Sequence, residues 1–389
     1  MQHSTLLFNV VAVVTGLVLI GMLLRPFRQP QLVAYILAGV LMGPAALGWV
    51  EDTHQLEQLG ELGVTLLLFF IGLEVSPREL ARGWRIAVIG TGLQIALSVG
   101  AVWLVGWFLD WPLPRILLLG FVISLSSTAV VIKLLQDSNE LHSPVGKNTL
   151  LILLAQDIAV VPMMILLASL GSQTGAETVN PWIQLGGGAV LVALTGWLLS
   201  REAISLPFLG WVRDNHEMQV FVALLLCFGC ALITSLIGLS APLGAFIGGM
   251  IIGRTQEIRW VHDALEPLHI IFVALFFVSV GMLIDPAFLL DNLATILLLV
   301  VLVLVTNTFI NALILKVMGE DWKDALLTGV MLSQIGEFSF VLASVGLASG
   351  IVGKPAYQLT VAVIAFSLLA SPLWIKVVSK EVRRRIPGP

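Results

Sequence analysis

Long apolar runs, separated by short polar connectors, occupy almost the whole chain of 389 residues. A helix that spans a membrane needs about 20 mostly apolar residues, and by that measure the chain holds thirteen candidate segments, numbered 1 to 13. In order, these segments cover residues 6–24, 31–50, 58–74, 84–109, 113–135, 147–170, 182–199, 216–237, 240–253, 267–284, 292–317, 324–349 and 355–378. Segment 9 is short and rich in glycine, which favours an irregular backbone there. The pattern predicts an all-α polytopic membrane protein.

The composition supports this interpretation and excludes several classes of protein. Hydrophobic residues make up 58% of the chain and charged residues only 11%, whereas a soluble domain carries roughly 25% charged residues. The net charge is −4, so the chain lacks the basic field of a nucleic-acid-binding protein, and no nucleic-acid partner is expected. The sequence shows no phosphate loop, nucleotide-binding glycine motif or catalytic triad, so we expect neither an enzyme nor a bound cofactor nor a soluble nucleotide-binding domain.

Basic residues fall on one side of the predicted membrane. If the N-terminus lies outside, the connectors and the tail assigned to the cytoplasm carry 18 of the 20 Lys and Arg residues, and only Arg115 and Lys354 fall on the other side. Cytoplasmic loops of membrane proteins are enriched in Lys and Arg, and a miscounted segment would have scrambled this distribution. The sequence therefore predicts a multi-pass protein of the plasma membrane (the inner membrane of a bacterium), with an external N-terminus and a cytoplasmic C-terminus.

The chain resembles itself at an offset of about 209 residues. LLLFFIGLEVSP aligns with LFFVSVGMLIDP, GFVISLSSTAVVI with GVMLSQIGEFSFV, and AYILAGVLMG with GAFIGGMIIG at an offset of 210. Three alignments whose offsets agree within one residue are harder to attribute to chance than any one of them. The offset relates segment 3 to segment 10 and segment 5 to segment 12. Seven segments, an odd number, separate the members of each pair, so the two copies are inverted in the membrane.

Inverted repeats are typical of secondary transporters, whose binding site lies near the middle of the membrane at the repeat interface. The repeats divide a single transmembrane transporter domain, residues 1–389, into three parts. Repeat A covers about 31–170, linking helices cover about 182–237, and repeat B covers about 240–378. Each repeat therefore contains five helices.

Segments 5 and 12, which are equivalent in the two repeats, both carry polar clusters in mid-span. The clusters are Ser124, Ser126, Ser127 and Thr128 in segment 5, and Ser333, Gln334, Gly336 and Glu337 in segment 12. Ordinary packing of small residues between helices is the alternative explanation. Interruption at equivalent depth in both repeats instead predicts two broken helices that cross and whose ends meet at the site. Their free carbonyls and hydroxyls can replace part of the water shell of a monovalent cation.

Asp157 lies ten residues into segment 6, deep in the predicted membrane. A charge at that depth costs several kcal/mol, so the carboxyl group should face a wet cavity, pair or be protonated. Burial favours the protonated form of a carboxyl group, which makes Asp157 a natural exchangeable proton carrier; a permanently protonated structural acid is the alternative. We expect Asp157 to bind the cation together with Gln156, Ser126, Ser127 and Thr128.

Four further residues form a predicted supporting group. Glu337 is the second central carboxyl group; it either binds the ion or serves as a structural acid near a half-helix N-terminus, where the helix dipole favours an anion. The structural role is the preferred interpretation. Asn307 is a polar residue within the apolar segment 11, and its side chain is expected to form a hydrogen bond to the site. Ser333 and Gln334 complete the group.

Several motifs together resemble the Kef-type branch of the cation:proton antiporter-2 family. They are LSSTA at 125–129, LAQDIA at 154–159, HDALEP at 262–267 and LSQIGEF at 332–338. The resemblance covers essentially the whole chain and implies a sodium/proton antiporter-like fold, a homodimer in membrane lipid and an elevator-like motion. It also implies that segments 4–6 and 11–13 form a mobile core, whereas segments 1–3, 9 and 10 hold the dimer interface. The Gln-Asp pair of segment 6 is similar to that of the potassium:proton members.

The sequence departs from the family pattern in two respects. Many members carry a lysine where Asn307 stands in this chain. Without that lysine, and with one aspartate rather than two, one cation for one proton is the simpler stoichiometry, so electroneutral exchange is expected. Kef-type proteins also continue into a cytoplasmic nucleotide-binding regulatory domain, which we expect to be a separate or removed part, because the chain stops after Arg383-Arg384-Arg385 and four further residues.

The resulting hypothesis is a secondary active antiporter that exchanges K⁺ for H⁺ by alternating access. Asp157 holds the cation and the proton in turn, and no metal other than the transported monovalent cation is expected. A Na⁺/H⁺ antiporter of the same fold is the first alternative. A cation channel and a transport-inactive membrane sensor are alternatives of another class. A channel needs a continuous polar path or a symmetric filter, and a sensor gives no reason to keep Asp157 at its cost.

Overall fold

A computed structural model describes residues 2–24, 31–49, 54–74, 83–137, 140–141, 143–170, 215–236, 241–255 and 258–386. Within these ranges the chain is helical. The helices are α1 (Gln2–Leu24), α2 (Gln31–Met42), α3 (His54–Glu74), α4 (Thr91–Phe108), α5 (Leu113–Ser124), α6 (Thr128–Asp137), α7 (Pro144–Leu170), α8 (His216–Leu236), α9 (Ala241–Gly253), α10 (Ile258–Met282), α11 (Pro286–Asp291), α12 (Leu293–Val317), α13 (Trp322–Met331), α14 (Phe338–Ala348) and α15 (Lys354–Arg385). A π-helical turn, Arg85–Gly90, leads directly into α4. Predicted segment 7, residues 182–199, lies outside the described residues.

Length and hydropathy make six of the described helical stretches suitable for crossing a membrane. They are Arg85–Phe108, Pro144–Leu167, Glu217–Leu236, Trp260–Met282, Leu293–Val317 and Lys354–Arg385. Six shorter apolar helices accompany them, α5, α9 and α14 among them. The all-α polytopic fold predicted from the apolar pattern is therefore confirmed.

Segments 5 and 12 are broken helices, as predicted. Segment 5 consists of α5 and α6, separated by residues 125–127, and segment 12 consists of α13 and α14, separated by residues 332–337. At 1.5 Å per residue, the 12-residue α5 is about 18 Å long, well short of the roughly 30 Å hydrocarbon layer. Each broken segment thus needs both of its half-helices to cross the membrane, and each break lies between them.

The helix boundaries repeat at the offset seen in the sequence. Leu113 and Trp322, the first residues of α5 and α13, are 209 positions apart. Ser126 and Ile335, which lie inside the two breaks, have the same separation. Aligned sequence therefore corresponds to aligned backbone, which supports the proposed repeat.

Contacts divide the chain into two compact units. The first contains Met1–Glu51, Leu80–Ser172 and Val280–Pro389, and the second contains Asp52–Glu79 and Gln173–Ser279. The broken helices and Asp157 all belong to the first unit. So do α1 and α2, which the family resemblance placed with segment 3. The reason is local packing: α2 lies against α1, and a Cβ at Gly43 would come within 3.0 Å of the Met282 backbone in the same unit.

In the second unit, the glycine-rich segment 9 forms a regular helix, α9, rather than an irregular one. Its glycines let neighbouring backbones approach closely. A Cβ at Gly249 would overlap with the Phe69 carbonyl on α3, and one at Gly244 would overlap with the Cys230 carbonyl on α8. Small residues at helix interfaces are the usual means of close packing in membranes, so the glycines of α9 serve contact rather than curvature.

Candidate functional site

The two breaks lie against each other in the interior of the first unit. Leu125, Ser126 and Ser127, between α5 and α6, are at most 2% exposed. The Gly336 N–H, in the break between α13 and α14, donates to the Leu125 carbonyl at 2.8 Å, and the Ser126 hydroxyl donates to the Leu332 carbonyl at 2.9 Å. The crossing that the sequence predicted is therefore held by reciprocal hydrogen bonds to backbone carbonyls that no helix can satisfy.

Glycine at position 336 is required by this crossing. A Cβ there would overlap with the Ser126 carbonyl and come within 2.9 Å of the Ser127 nitrogen. These are backbone atoms that cannot rotate away, so any side chain would separate the two breaks. One turn further on, the Ser339 hydroxyl donates to the Val122 carbonyl at 2.7 Å and ties α14 to the end of α5.

Asp157 lies on α7, half-buried, with its carboxylate directed at the start of α6. The Thr128 hydroxyl lies 3.2 Å and 3.4 Å from the two carboxylate oxygens. Thr128 is the first residue of α6, so the carboxylate faces a helix N-terminus, where the helix dipole favours a negative charge. The structure thus brings together Asp157 and Thr128, two of the predicted cation-binding residues.

Ser127 helps to start α6 where it does. Its hydroxyl oxygen accepts a hydrogen bond from the Val130 N–H at 3.3 Å. This is the geometry of a helix N-cap, in which the side chain satisfies one of the N–H groups that the first turn leaves free. Ser127 therefore fixes the end of α6 that carries Thr128.

Gln156 lies next to Asp157 on α7 and is 1% exposed. Its side-chain oxygen accepts from the Ser126 N–H at 2.8 Å, and its side-chain nitrogen donates to the oxygen of Gln94 at 2.8 Å. Gln94, on α4, in turn donates to the Ser124 carbonyl at 3.0 Å. The predicted residues Gln156 and Ser126 are therefore in direct contact.

The predicted supporting residues lie at the second break. The Asn307 side-chain nitrogen, on α12, donates to the Ile123 carbonyl at 2.8 Å and to the Ser333 carbonyl at 3.2 Å, so it joins both broken helices. The Ser333 hydroxyl and both amide atoms of Gln334 are buried without a hydrogen-bond partner among the described residues. Glu337 occupies the N-cap position of α14 but does not cap that helix with its side chain.

Comparison of the chain with known protein families identifies the family of this protein. A family model described as "Sodium/hydrogen exchanger, transmembrane" matches residues 11–381. The chain belongs to this family. Membership, together with the apolar helices, establishes a multi-pass membrane protein.

Individual relatives are named as transporters. The iron transporter MagA of Paramagnetospirillum magneticum is 37% identical over 375 residues, which is 96% of this chain and 86% of MagA. K(+) efflux antiporter 4 of Arabidopsis thaliana is 32% identical over 97% of this chain, which spans 64% of that relative's length. The putative cation/proton antiporter YbaL of Escherichia coli is 31% identical over 99% of this chain and 70% of its own.

Among solved structures, the sodium proton antiporter MjNhaP1 from Methanocaldococcus jannaschii at pH 8 superposes with a TM-score of 0.71 over 100% of both chains. The two sequences are 16% identical. At that identity the likeness concerns the fold, and it supports the sodium/proton antiporter-like architecture of this family member.

Two residues at the site were missed by the sequence reasoning. Gln94 is 1% exposed, and it is an uncharged amide in an otherwise apolar stretch of segment 4, which was the available signal. Ser367, on α15, accepts from the Ile335 N–H at 3.2 Å through its hydroxyl oxygen. A single serine in an apolar helix is a common packing residue, so nothing in the sequence distinguished Ser367.

Proposed function

We propose that this protein exchanges a monovalent cation, potassium, for protons across the membrane, with Asp157 holding the two in turn. The observation that carries the proposal is the Asp157 carboxylate, which faces the start of α6 with the Thr128 hydroxyl 3.2 Å away, beside two crossed helix breaks. Membership of the sodium/hydrogen exchanger family makes cation/proton antiport the expected class of activity. Relatives named as K(+) efflux and cation/proton antiporters support the same class.

The proposed coupling arises from competition for one group. A cation or a proton neutralises the Asp157 carboxylate, and the bare charge is costly to move through a low-dielectric interior. The loaded protein can therefore reorient in either form, whereas the empty, charged form resists reorientation. The Thr128 hydroxyl, as a hydrogen-bond donor to the carboxylate, stabilises the charged group while the proton is absent.

Potassium is proposed as the cation because the Gln156-Asp157 pair resembles that of potassium:proton antiporters. Sodium is the first rival. A relative is named as an iron transporter, so ferrous iron is a further rival. Among the described residues, no group of three or more His, Cys, Asp and Glu side chains could hold a metal ion, and iron therefore enters the test as a competing cargo rather than as the proposed one.

The proposed exchange is electroneutral, one cation for one proton. Asn307 stands where many members of the resembled family carry a lysine, and it contributes two uncharged hydrogen bonds to the breaks. With one aspartate at the proposed site, the cation and the proton each bring a single positive charge to the same group.

The decisive test uses proteoliposomes that hold a pH gradient and a lumenal pH dye. Addition of K⁺ should dissipate the gradient, Asp157→Asn should abolish the response, and Asp291→Asn, the same change at an exposed position, should leave it intact. The same assay with Na⁺, Li⁺, choline or Fe²⁺ in place of K⁺ ranks the rival cations by how far each dissipates the pH gradient. No response to any alkali cation, or a full response from Asp157→Asn, would refute the proposed function.

Two further measurements address stoichiometry and the alternatives of another class. An electroneutral exchanger should respond equally at clamped membrane potentials of either sign, whereas voltage dependence would defeat the one-to-one stoichiometry. A channel would carry K⁺ down its gradient without proton movement. A transport-inactive sensor would show no flux at all.

Assembly and orientation are part of the same proposal. We infer a homodimer in the plasma membrane, with the N-terminus outside and the C-terminus in the cytoplasm. Cross-linking in membranes tests the dimer. Cysteines introduced at positions 78 and 115 should label from opposite sides, with position 78 cytoplasmic; labelling from the same side would overturn the predicted topology.

A further inference from the structure

Two buried glutamine amides link three helices next to Asp157. Gln94 donates to the Ser124 carbonyl at 3.0 Å, Gln156 donates to the Gln94 oxygen at 2.8 Å, and the Gln156 oxygen accepts from the Ser126 N–H at 2.8 Å. We name Gln94 and Gln156 the amide clasp. Its two ends are a carbonyl that can only accept and an N–H that can only donate. This order fixes the orientation of both amides, so neither can flip without losing two hydrogen bonds.

The carbonyl end of the clasp has a counterpart in the other repeat. Ser124, the last residue of α5, and Ser333, in the break between α13 and α14, are 209 positions apart. The Ser333 carbonyl accepts from the side-chain amide of Asn307, on α12, the helix before the broken segment 12, at 3.2 Å. The Ser124 carbonyl accepts from the side-chain amide of Gln94, on α4, the helix before the broken segment 5. Gln94 is thus the functional counterpart of Asn307, although the aligned residue is Ser98, one turn away.

The N–H end is duplicated as well. Ser126 and Ile335 are also 209 positions apart. The Ile335 N–H donates to the Ser367 hydroxyl oxygen, on α15, the helix after the broken segment 12, at 3.2 Å. The Ser126 N–H donates to the side-chain oxygen of Gln156, on α7, the helix after the broken segment 5. In both repeats, therefore, one side chain from the helix before the broken segment and one from the helix after it satisfy an equivalent carbonyl and an equivalent N–H. Buried backbone groups that a helix leaves unpaired need such partners.

The repeats differ in one respect that bears on Asp157. In repeat A, the two side chains are hydrogen-bonded to each other, and one of them, Gln156, precedes Asp157 in the chain. Movement of the 125–127 break is thereby coupled to α7 and to α4 together. The clasp consequently holds α6, with Thr128 at its first position, at a fixed distance from the carboxylate.

We propose that Gln94 is a positioning residue for cation binding, and that Gln156 acts through this clasp, by holding the break, rather than as a direct ligand of the cation. The inference rests on the proposed cation/proton exchange. Gln94 contacts neither Asp157 nor Thr128 in the hydrogen bonds described above; its effect passes through Gln156 and the Ser124–Ser126 backbone.

The test uses three substitutions on α4 in the full chain, reconstituted as above with K⁺ as the probe. Gln94→Met keeps the length of the side chain but removes both hydrogen bonds. Gln94→Glu can complete the clasp only when the introduced carboxyl is protonated, because an ionised carboxylate cannot donate to the Ser124 carbonyl. Ser98→Ala is the matched control: it lies one turn away and is fully buried, and its hydroxyl has no partner among the described residues.

Gln94→Met should raise the K⁺ concentration for half-maximal exchange about tenfold or more, because it removes two hydrogen bonds that hold the site. The maximal rate should change less. Gln94→Glu should resemble the wild type at acidic pH and Gln94→Met at alkaline pH. The proposed exchange moves protons and therefore depends on pH in every variant, so each pH profile is compared with that of the wild type. Ser98→Ala should match the wild type throughout.

Three results would overturn the positioning role. The first is a K⁺ concentration for half-maximal exchange in Gln94→Met that lies within about twofold of the wild-type value, because the loss of even one hydrogen bond should change it by more than that. The second is a pH profile for Gln94→Glu that superposes on the wild type. The third is failure of both variants to fold while Ser98→Ala folds, because Gln94 would then be purely structural. Absence of exchange in the wild type itself refutes the proposed function instead, so the two failures are distinguishable.

Discussion

The side-chain amide of Asn307, on α12, donates to a carbonyl of each broken helix, and its removal should destabilise the fold measurably. Asn307→Leu preserves the approximate volume but deletes donors to the Ile123 and Ser333 carbonyls, at 2.8 Å and 3.2 Å. The residue is 1% exposed, so water cannot easily replace the donors. A buried acceptor left without a partner costs about 1–3 kcal/mol. Two such acceptors predict a loss of about 2–6 kcal/mol in the free energy of unfolding.

Asn311 provides a matched control one turn along the same helix. It is equally buried, at 1% exposed, but its side-chain amide donates to the Asn307 carbonyl at 2.9 Å within α12. That carbonyl also accepts the ordinary helical bond from the residue four positions on, so Asn311→Leu leaves no orphaned acceptor. The expected cost is about 0.5–1.5 kcal/mol, the net value of one ordinary hydrogen bond.

Unfolding by dodecyl sulfate in mixed micelles, followed by tryptophan fluorescence, measures both variants against the wild type. Asn307→Leu should unfold at distinctly lower detergent fraction than Asn311→Leu. Equal costs for the two substitutions, within about 0.5 kcal/mol, would refute the reasoning that the amide of Asn307 acts by joining the breaks, since additivity errors are of that size.

Three further predictions concern the crossing of the broken helices, the Asp157 carboxylate and the C-terminal end of α15. Gly336→Ala should cost about 3 kcal/mol or more through backbone overlap and reduce the monodisperse peak in size-exclusion chromatography, whereas Gly100→Ala, with nothing within 4 Å, should not. Thr128→Val should raise the K⁺ concentration for half-maximal exchange about tenfold by removing the hydroxyl from the carboxylate, and Thr128→Ser should restore it; equal values for the two would contradict the contact. Arg383→Ala, which breaks the ion pair with Glu140, should lower stability by about 1 kcal/mol or less, and the loss should shrink in high salt if the pair is electrostatic.

Much of the fold follows from the sequence because a lipid environment imposes strong local rules. Every backbone group in hydrocarbon needs an internal partner, so long apolar runs must be helices. The polar clusters of segments 5 and 12 mark places where this rule is relaxed, and helices are broken there in the structure. The offset of 209 then places the two breaks at equivalent positions before any coordinates are known.

The site was predicted less completely, and the reason is geometric. Asp157 and Thr128 are recognisable because a charge and a hydroxyl at membrane depth are costly without a function. Gln94 carried a weaker signal, since an amide in an apolar helix can find a partner in several directions. Only the packing of α4 against the end of α5 shows which backbone carbonyl the Gln94 amide bonds and that Gln156 is its other partner.

The sequence by itself determined a helical membrane protein, an inverted repeat, two broken helices and a single deep aspartate next to them. These properties depend on composition, spacing and period, which are local along the chain. The tertiary structure decided which groups hold the broken helices: Gly336 against the Ser126 backbone, Asn307 between the two broken helices, and the paired amides of Gln94 and Gln156 beside the carboxylate. Such partners are 26 to 210 positions apart in the chain, and a hydrogen bond depends on distances of a few tenths of an ångström, which no sequence pattern specifies.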